Sequence, residues 1–421
     1  MRARGRDIRS DSAVSLPGLR RGWYRWIIVR IYLDHNATTP VEPEVADAIS
    51  AALREQFGNP SSVHAFGQQA KAALDEARDR VASSLGASAS DIVFTGGGTE
   101  GDNLALRGLS GMPTLASRRH IVVSAIEHEA VRNTAQALAR QGWRVTEVPV
   151  GSLGVVAPDD LRRAMQTDTA IVAVMHANNE IGTIQPVAEL ARIAHEAGAL
   201  FHTDAVQSAG KIPVDVAALG VDMLAISAHK FGGPKGVGAI WIRRGLSLSP
   251  ILTGGRQERG RRAGTENVPA LVGLGVAARL ASERLASAGS RITALRDRLE
   301  HGILERVPGT TVNGDRERRV PNTTNISFEA VEGESLVIAL DLEGIAVSTG
   351  SACSSGTLEP SHVRRALGLP AARVQSAIRF SLGPPTTESD IDRVLDVLPR
   401  AVSRLRLRGD ARLPLRVDPR S

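Results

Sequence analysis

From Asp91 onward the chain alternates short apolar runs with segments of helical period. The runs are Ile92 to Phe94, Ile121 to Ser124, Ile171 to Met175, Leu200 to His202, Met223 to Ile226 and Val237 to Ile242, and they read as buried strands. Between them lie patterns such as VAELARIAHEAG, in which Val187, Leu190, Ala191 and Ala194 fall on one helical face; upstream, Ala70, Ala73, Leu74, Ala77, Val81 and Leu85 do the same. Strand and helix in alternation predict an α/β fold, an open and mostly parallel sheet with helices on both faces. A long helical stretch, roughly 269–307, leads to a different region: TTNISF, the helix-like GESLVIALDLEG, IAVST, IRFSL and a final helix near 391–405. That region predicts a smaller α+β domain.

At 421 residues, two domains are the default expectation. Residues 1–30 hold eight Arg against Asp7 and Asp11, which accounts for the whole formal net charge of +6. The rest of the chain is balanced. Neither this start nor the basic tail carrying Arg404, Arg406, Arg408, Arg412, Arg416 and Arg420 reads as a nucleic-acid module. Residues 1–30 are expected to be a disordered basic extension, a targeting segment, or a reading frame begun upstream of a true start near Val29. The apolar runs are too short to span a bilayer, and no signal peptide with a proper apolar region is visible, so no membrane association is expected. Cys353 is the only cysteine, which excludes an intramolecular disulfide or a cysteine-built metal cage within one chain and fits a reducing, cytoplasmic setting.

Candidate chemistry follows the strands, because ligands of open α/β sheets sit beyond the strands' carboxyl ends. After DIVF comes TGGGTEGDN, after IVVSAI come Glu127 and His128, after IVAVMHA come Asn178 and Asn179, after LFHT comes Asp204, and after LAIS come His229 and Lys230. Gly96, Gly97 and Gly98 followed by Thr99 suit a phosphate at a helix N-terminus, although such a run also makes an ordinary turn. There is no Walker lysine and no dinucleotide spacing of glycines. The chain has 47 Arg but only four Lys. Lys71 sits within an amphipathic helix, Lys211 in a turn before a proline, and Lys235 between Pro234 and Gly236. Only Lys230 ends a core strand, where desolvation favours its amine as a nucleophile. An amine, a phosphate cradle and a lone carboxylate are what a pyridoxal phosphate site requires. Asp204 would pair with the pyridinium nitrogen, or else cap a helix, and Gln207 could reach the ring hydroxyl. Cys353, within VSTGSACSSG, has no apolar period around it to carry it into a core, so a polar loop presenting a thiol is expected in place of the commoner buried cysteine.

The segments LDHNATTP, FGNPSSVH, TGGGTEGDNLAL, EHEAV, HANNEIG, HTDAVQSAGK, SAHKFGGPKGVGA, QERGRRAGTEN, STGSACSSG, LEPSHVRRALG and IRFSLG resemble, in order, the successive motifs of the cysteine desulfurases, most closely the NifS and IscS type. The resemblance covers about residues 31–405. It implies a fold-type I pyridoxal phosphate-dependent transferase: a seven-stranded large domain over 40–284, a small domain built from 31–39 with 285–405, and a flexible basic tail over 406–421. It implies that Lys230 bonds covalently to the cofactor aldehyde, that His128 stacks on the ring and shuttles the thiol proton, and that Asp204 and Gln207 hold the ring nitrogen and hydroxyl. Gly98, Thr99, Ser227 and His229 would bind the phosphate, helped by Thr265 of the partner subunit in a homodimer. Asn179 and Arg379 would take the substrate carboxylate, and Asn179 would also border the cofactor. Cys353 would accept the sulfur of L-cysteine and pass it to an acceptor such as an iron–sulfur scaffold, and could transiently hold an iron–sulfur cluster with that partner. Gly101 stands where the family commonly has Ser, and the tail after Leu405 departs from the family's usual end. A selenocysteine lyase, another carbon–sulfur lyase or an aminotransferase on the same fold, and a non-catalytic sulfur-carrier scaffold are the rival readings.

Overall fold

The computed structural model describes residues 30–112, 115, 117–350 and 360–410. The described chain begins with a two-residue strand, β1 (Ile31–Tyr32). A seven-stranded sheet then gathers β2 (Ile92–Thr95), β3 (His120–Ser124), β4 (Arg144–Val148), β5 (Thr169–Ala173), β6 (Leu200–Asp204), β7 (Met223–Ser227) and β8 (Gly238–Ile242), in the order β2-β8-β7-β6-β5-β3-β4. Only β8 runs against its neighbours. All strands except β4 are buried along their length, which requires cover on both faces.

Alternation along each strand supplies that cover. Val122, Val172, Phe201 and Leu224 face one layer of helices, where they meet Leu190, Ala194 and Leu274. Ile121, Ile171, Met223 and Ile240 face the other, against Leu104, Leu106 and Leu138. Strand β4 has no place among the apolar runs read from the sequence. It pairs only with β3, at the sheet edge, and its residues RVTEV are exposed or half-buried except Val148. An edge strand needs no continuous apolar run.

A 39-residue helix, Val268–Arg306, leaves this layer and enters a second one. There β9 (Thr310–Asn313) and β10 (Thr323–Phe328) pair antiparallel, β11 (Ile345–Ala346) pairs parallel with β1, and β12 (Ala377–Ser381) pairs antiparallel with β10. The helix contributes Leu271, Leu274 and Ala278 to the first core and Ile292, Leu295, Leu299 and Ile303 to the second, where Phe328, Phe380 and Leu398 are fully buried. The last helix runs Glu388–Asp410. Residues 406–410, expected to belong to a flexible tail, are therefore helical, and Arg406 donates to the carbonyls of Glu329 and Pro308.

Residues 33–39 tie the two layers together. Leu33 lies in the second core and its N–H bonds to Ala346. Six residues on, the Thr39 N–H donates to the carbonyl of His229, beside Lys230. Asn36, halfway along, is thereby set between them.

Candidate active site

The functional side chains follow the carboxyl ends of the parallel strands. Beyond β2, Gly97 caps the helix Gly98–Arg107 with φ of +148°, a conformation that L side chains rarely adopt. A Cβ on Gly98 would fall 2.5 Å from Val206 Cγ2. Gly96, Gly98, Thr99, Ser227 and His229 line one open cavity of about 790 Å³, so the first turn of the helix Gly98–Arg107, where N–H groups lack intrahelical acceptors, forms part of its wall. Glu100 accepts from Gly96 N at 2.7 Å and from Arg262 Nε at 2.9 Å, so the glycine turn is braced from outside. Position 101 does not face this cavity. A Cβ there would point at Ala225 and Ile240 of the sheet, 3.0 and 3.6 Å away.

The other cluster is organised by Asn36. Its backbone oxygen accepts from Lys230 Nζ at 2.6 Å and from Gln207 Nε2 at 2.9 Å. Its Nδ2 donates to the Asn179 carbonyl at 3.1 Å and to Thr323 Oγ1 at 2.8 Å. Lys230 also donates to the Ala37 carbonyl at 2.9 Å. The Asn179 carbonyl accepts from Arg379 at 2.9 Å, and the same guanidinium pairs with Asp34 at 2.6 Å. One short stretch, Asp34 to Ala37, thus joins Lys230, Gln207, Asn179 and Arg379. LDHNATTP is visible in the sequence as a motif, but nothing in its pattern distinguishes Asp34 and Asn36 as the residues that touch the site. Lys211 is a third residue that sequence reasoning passes over: its Nζ donates to Gln207 Oε1 at 2.7 Å and Asn36 Oδ1 at 3.0 Å.

Asp204 ends β6 and is nearly buried. Its Oδ1 accepts from Val206 N at 2.8 Å, and Oδ2 has no hydrogen bond among the described residues. Behind it, His202 Nε2 lies 3.0 Å from Asp102 Oδ1. Burial, and next the charge of Asp204, push the Asp102 carboxyl well above the usual carboxylate range. Burial does the same to Glu127, which accepts from Ser124 and from Met175 N. Burial in one interior disfavours the charged form of both Asp102 and Glu127, and the neighbouring carboxylate charges add to the effect. His128 accepts from Ala130 N at 3.2 Å through Nδ1, capping the helix Glu129–Ala139. Burial holds its imidazolium pKa below the ordinary value, against the opposing pull of Asp204. At neutral pH it is a neutral ring. His229 is lowered to about 4 by burial and then by Lys230 and Lys235.

Thr265, expected to act from the partner subunit, is exposed in the segment before the long helix and does not line the glycine cavity of its own chain. Cys353 lies outside the described residues. The ends of its segment are described, and both meet Glu180: Ser361 Oγ donates to Glu180 Oε2 at 2.7 Å, and a Cβ on Gly350 would lie 3.3 Å from the same side chain.

The donor set fits pyridoxal phosphate. A glycine turn that tolerates no added Cβ at Gly98 suits a phosphate, the open Oδ2 of a buried Asp204 suits a ring N–H, and the half-buried Lys230, next in sequence to His229 of the glycine cavity, carries its amine to the Asn36 cluster. Residues 31–394 match the model of the aminotransferase class-V family. The chain is 50% identical over 376 residues to a protein of Nostoc sp. called cysteine desulfurase, covering 89% of this chain and 94% of the relative. It is 48% identical over 376 residues to one of Dictyoglomus turgidum called cysteine desulfurase IscS, covering 89% and 95%. A solved NifS-like protein superposes with a TM-score of 0.83 at 39% identity, covering 89% of this chain and 100% of that one. SspA in complex with cysteine superposes with a TM-score of 0.75 at 34% identity, covering 85% and 100%. The chain belongs to the class-V aminotransferase family of pyridoxal phosphate-dependent enzymes and, within it, to the cysteine desulfurases.

Proposed function

We propose that the protein is a homodimeric, cytoplasmic cysteine desulfurase that converts L-cysteine and the Cys353 thiol to L-alanine and a Cys353 persulfide, and delivers the sulfur to an acceptor such as an iron–sulfur scaffold. The observation that carries this reading is the convergence of Lys230, Gln207, Asn179 and Arg379 on residues 34–37, across from the glycine cavity. The single cysteine supports both the identity of the acceptor thiol and a reducing compartment.

When bound, pyridoxal phosphate supplies a sink for the electrons at the substrate α-carbon. Gly98, Thr99, Ser227 and His229 would hold its phosphate, with Thr265 of the partner subunit, Asp204 its ring nitrogen and Gln207 its ring oxygen. Arg379 orients the substrate carboxylate, and Asn179, through its carbonyl, holds the guanidinium in place. Lys230 Nζ would hold the cofactor covalently and, as a free amine, would take the α-proton of the substrate. His128, neutral and with Nδ1 committed to its own helix, offers Nε2 to the thiol proton. Sulfur then moves to the Cys353 thiolate: the carbon–sulfur bond breaks, its electron pair stays with carbon, which takes up a proton as alanine forms, and a sulfur–sulfur bond is made.

The test is an alanine assay on purified protein with L-cysteine and a thiol reductant, read beside the visible absorbance. Wild type should be yellow and make alanine, and Lys230→Ala should do neither. Undiminished alanine from Lys230→Ala would sink the assignment. Cys353→Ser should keep the colour and lose sulfur transfer, whereas an aminotransferase or a lyase that needs no acceptor thiol would keep its turnover.

A further inference from the structure

Lys211 is half-buried in the turn after β6, and its ammonium has found no carboxylate among the described residues. Both of its partners are neutral amide oxygens, Gln207 Oε1 at 2.7 Å and Asn36 Oδ1 at 3.0 Å. Asn36 is itself fully committed, since Nδ2 donates to Asn179 and Thr323 and Oδ1 also accepts from Asn322 Nδ2 at 3.0 Å. Lysine ammonium has three donors and no acceptor. It therefore determines which end of the Gln207 amide it meets.

We propose that Lys211 is a positioning residue for the cofactor: it fixes the Gln207 amide so that a hydrogen of Nε2 is presented to the ring oxygen, and it sets a second cation beside the Lys230 amine. The proposal rests on the reading of Lys230 as the lysine that binds pyridoxal phosphate. Gln207 Oε1 faces Lys211, and one Nε2 hydrogen goes to the Asn36 carbonyl at 2.9 Å. One amide hydrogen is left, and a ring oxygen carrying negative charge is its natural acceptor. The Asn36 residue is shared: its backbone oxygen also takes Lys230 Nζ at 2.6 Å, so both lysines hang on one residue.

Charges surround the pair from several packed elements, and on its outer side Lys211 lines a second cavity with Glu283, Arg296, Asp297, Glu317 and Arg319. Lys230 comes from the turn after β7, and Arg379, answered by Asp34, from β12. His35 follows β1, and the Glu42–Arg284 pair closes the outer wall of the cavity that Lys211, Lys230 and His35 line. His128 and His229 both feel the charge of Lys230, His128 with Asp204 beside it and His229 with Lys235. Burial, then the charges of Lys230 and Arg379, hold the Lys211 amine well below the ordinary lysine range. By reciprocity Lys211 disfavours a proton on Lys230 nitrogen.

Lys211→Met tests the proposal in the holoenzyme. Cofactor affinity, measured by equilibrium dialysis, should fall about tenfold, the effect of one hydrogen bond. The midpoint of the pH titration of the visible absorbance should rise by about one unit, because the Lys230 nitrogen keeps its proton longer when the neighbouring cation is gone. KM for L-cysteine should change less than kcat, since Arg379 is untouched. Lys211→Met combined with Gln207→Leu should bind cofactor no more weakly than Gln207→Leu alone. Wild-type affinity and midpoint in Lys211→Met, or additive losses in the double variant, would overturn the proposal while leaving the function intact. A wild-type protein that binds no pyridoxal phosphate would instead overturn the function. Should Lys211→Met not fold, carbon-13 lysine labelling of the wild type decides: with four lysines in the chain, two should titrate below the ordinary range and respond to cofactor. A single such lysine, or none, refutes the pairing.

Discussion

Arg379 and Asp34 meet at 2.6 Å between β12 and the segment after β1. Arg379 is almost wholly buried, and its other terminal nitrogen donates to the Asn179 carbonyl. Asp34 thus already draws on the guanidinium that the substrate carboxylate needs, and a planar fork can serve two partners where an ammonium cannot. Arg379→Lys should raise KM for L-cysteine by one to two orders of magnitude, equivalent to ~1.5–3 kcal/mol for a lost charged hydrogen bond, and leave cofactor absorbance unchanged. Steady-state kinetics beside a spectrum checks both; an unchanged KM would remove Arg379 from substrate binding.

Arg78 and Glu258 form a buried two-point pair at 2.7 and 2.7 Å, and Glu258 also accepts from Phe94 N in β2 at 2.9 Å. The pair pins the segment that leads to Thr265. Arg78→Leu leaves a buried carboxylate without its cation, and the expected loss is ~3–5 kcal/mol. Chemical denaturation measures it. A loss near zero would show that Glu258 simply takes up a proton.

Gly101 is buried against the sheet. Gly101→Ser introduces a Cβ 3.0 Å from that of Ala225, and overpacking of this kind costs about 1–3 kcal/mol. Ala225→Gly in the same chain should recover most of the loss. Failure of the second substitution to rescue the first would place the strain elsewhere.

Acid should weaken the fold through its histidines. His176 and His202 are lowered from 6.5 to about 4, by burial first in each. Above about pH 6.5 both states of the chain hold these rings neutral and the stability is complete. As pH falls from there toward 4 the unfolded chain takes the protons first, and each ring moves toward a loss of about 1.4 kcal/mol per pH unit. Urea midpoints at pH 7.5, 5.5 and 4.5 should decline, and His176→Gln should flatten the decline. A flat wild-type profile would contradict the burial argument.

The interior strands were legible because strands covered on both faces are apolar at every position, as in Ile171 to Ala173. Strand β4 was not, because its Arg, Thr and Glu face solvent at an edge. Lys230 could be singled out by elimination among four lysines and by its place after a strand. Lys211 could not: in sequence it is a turn residue before Pro213, and only folding brings it onto Gln207, four residues back, and onto Asn36, 175 residues away. Asn36 was hidden for a related reason. Its backbone oxygen does as much as its side chain, and a backbone contact leaves no mark in residue type. Cys353, the most conspicuous residue in the sequence, lies outside the described residues.

The helix Val268–Arg306 enters one core with its first turns and the other with its last. An unbroken helix advances about 100° and 1.5 Å with each residue, so the two layers are geared like wheels on one axle. Removing a single residue between Ala286 and Ser290 would swing Ile292, Leu295 and Leu299 about a quarter-turn out of mesh, and would carry Arg379 away from Asn179 with them. Removing seven, close to two full turns, would return the teeth to phase while drawing the wheels together by roughly 10 Å. The spacing of the active site's two halves is in this sense counted out in residues along one helix, whose own Arg284 reaches only the outer wall of the cavity beside Lys230.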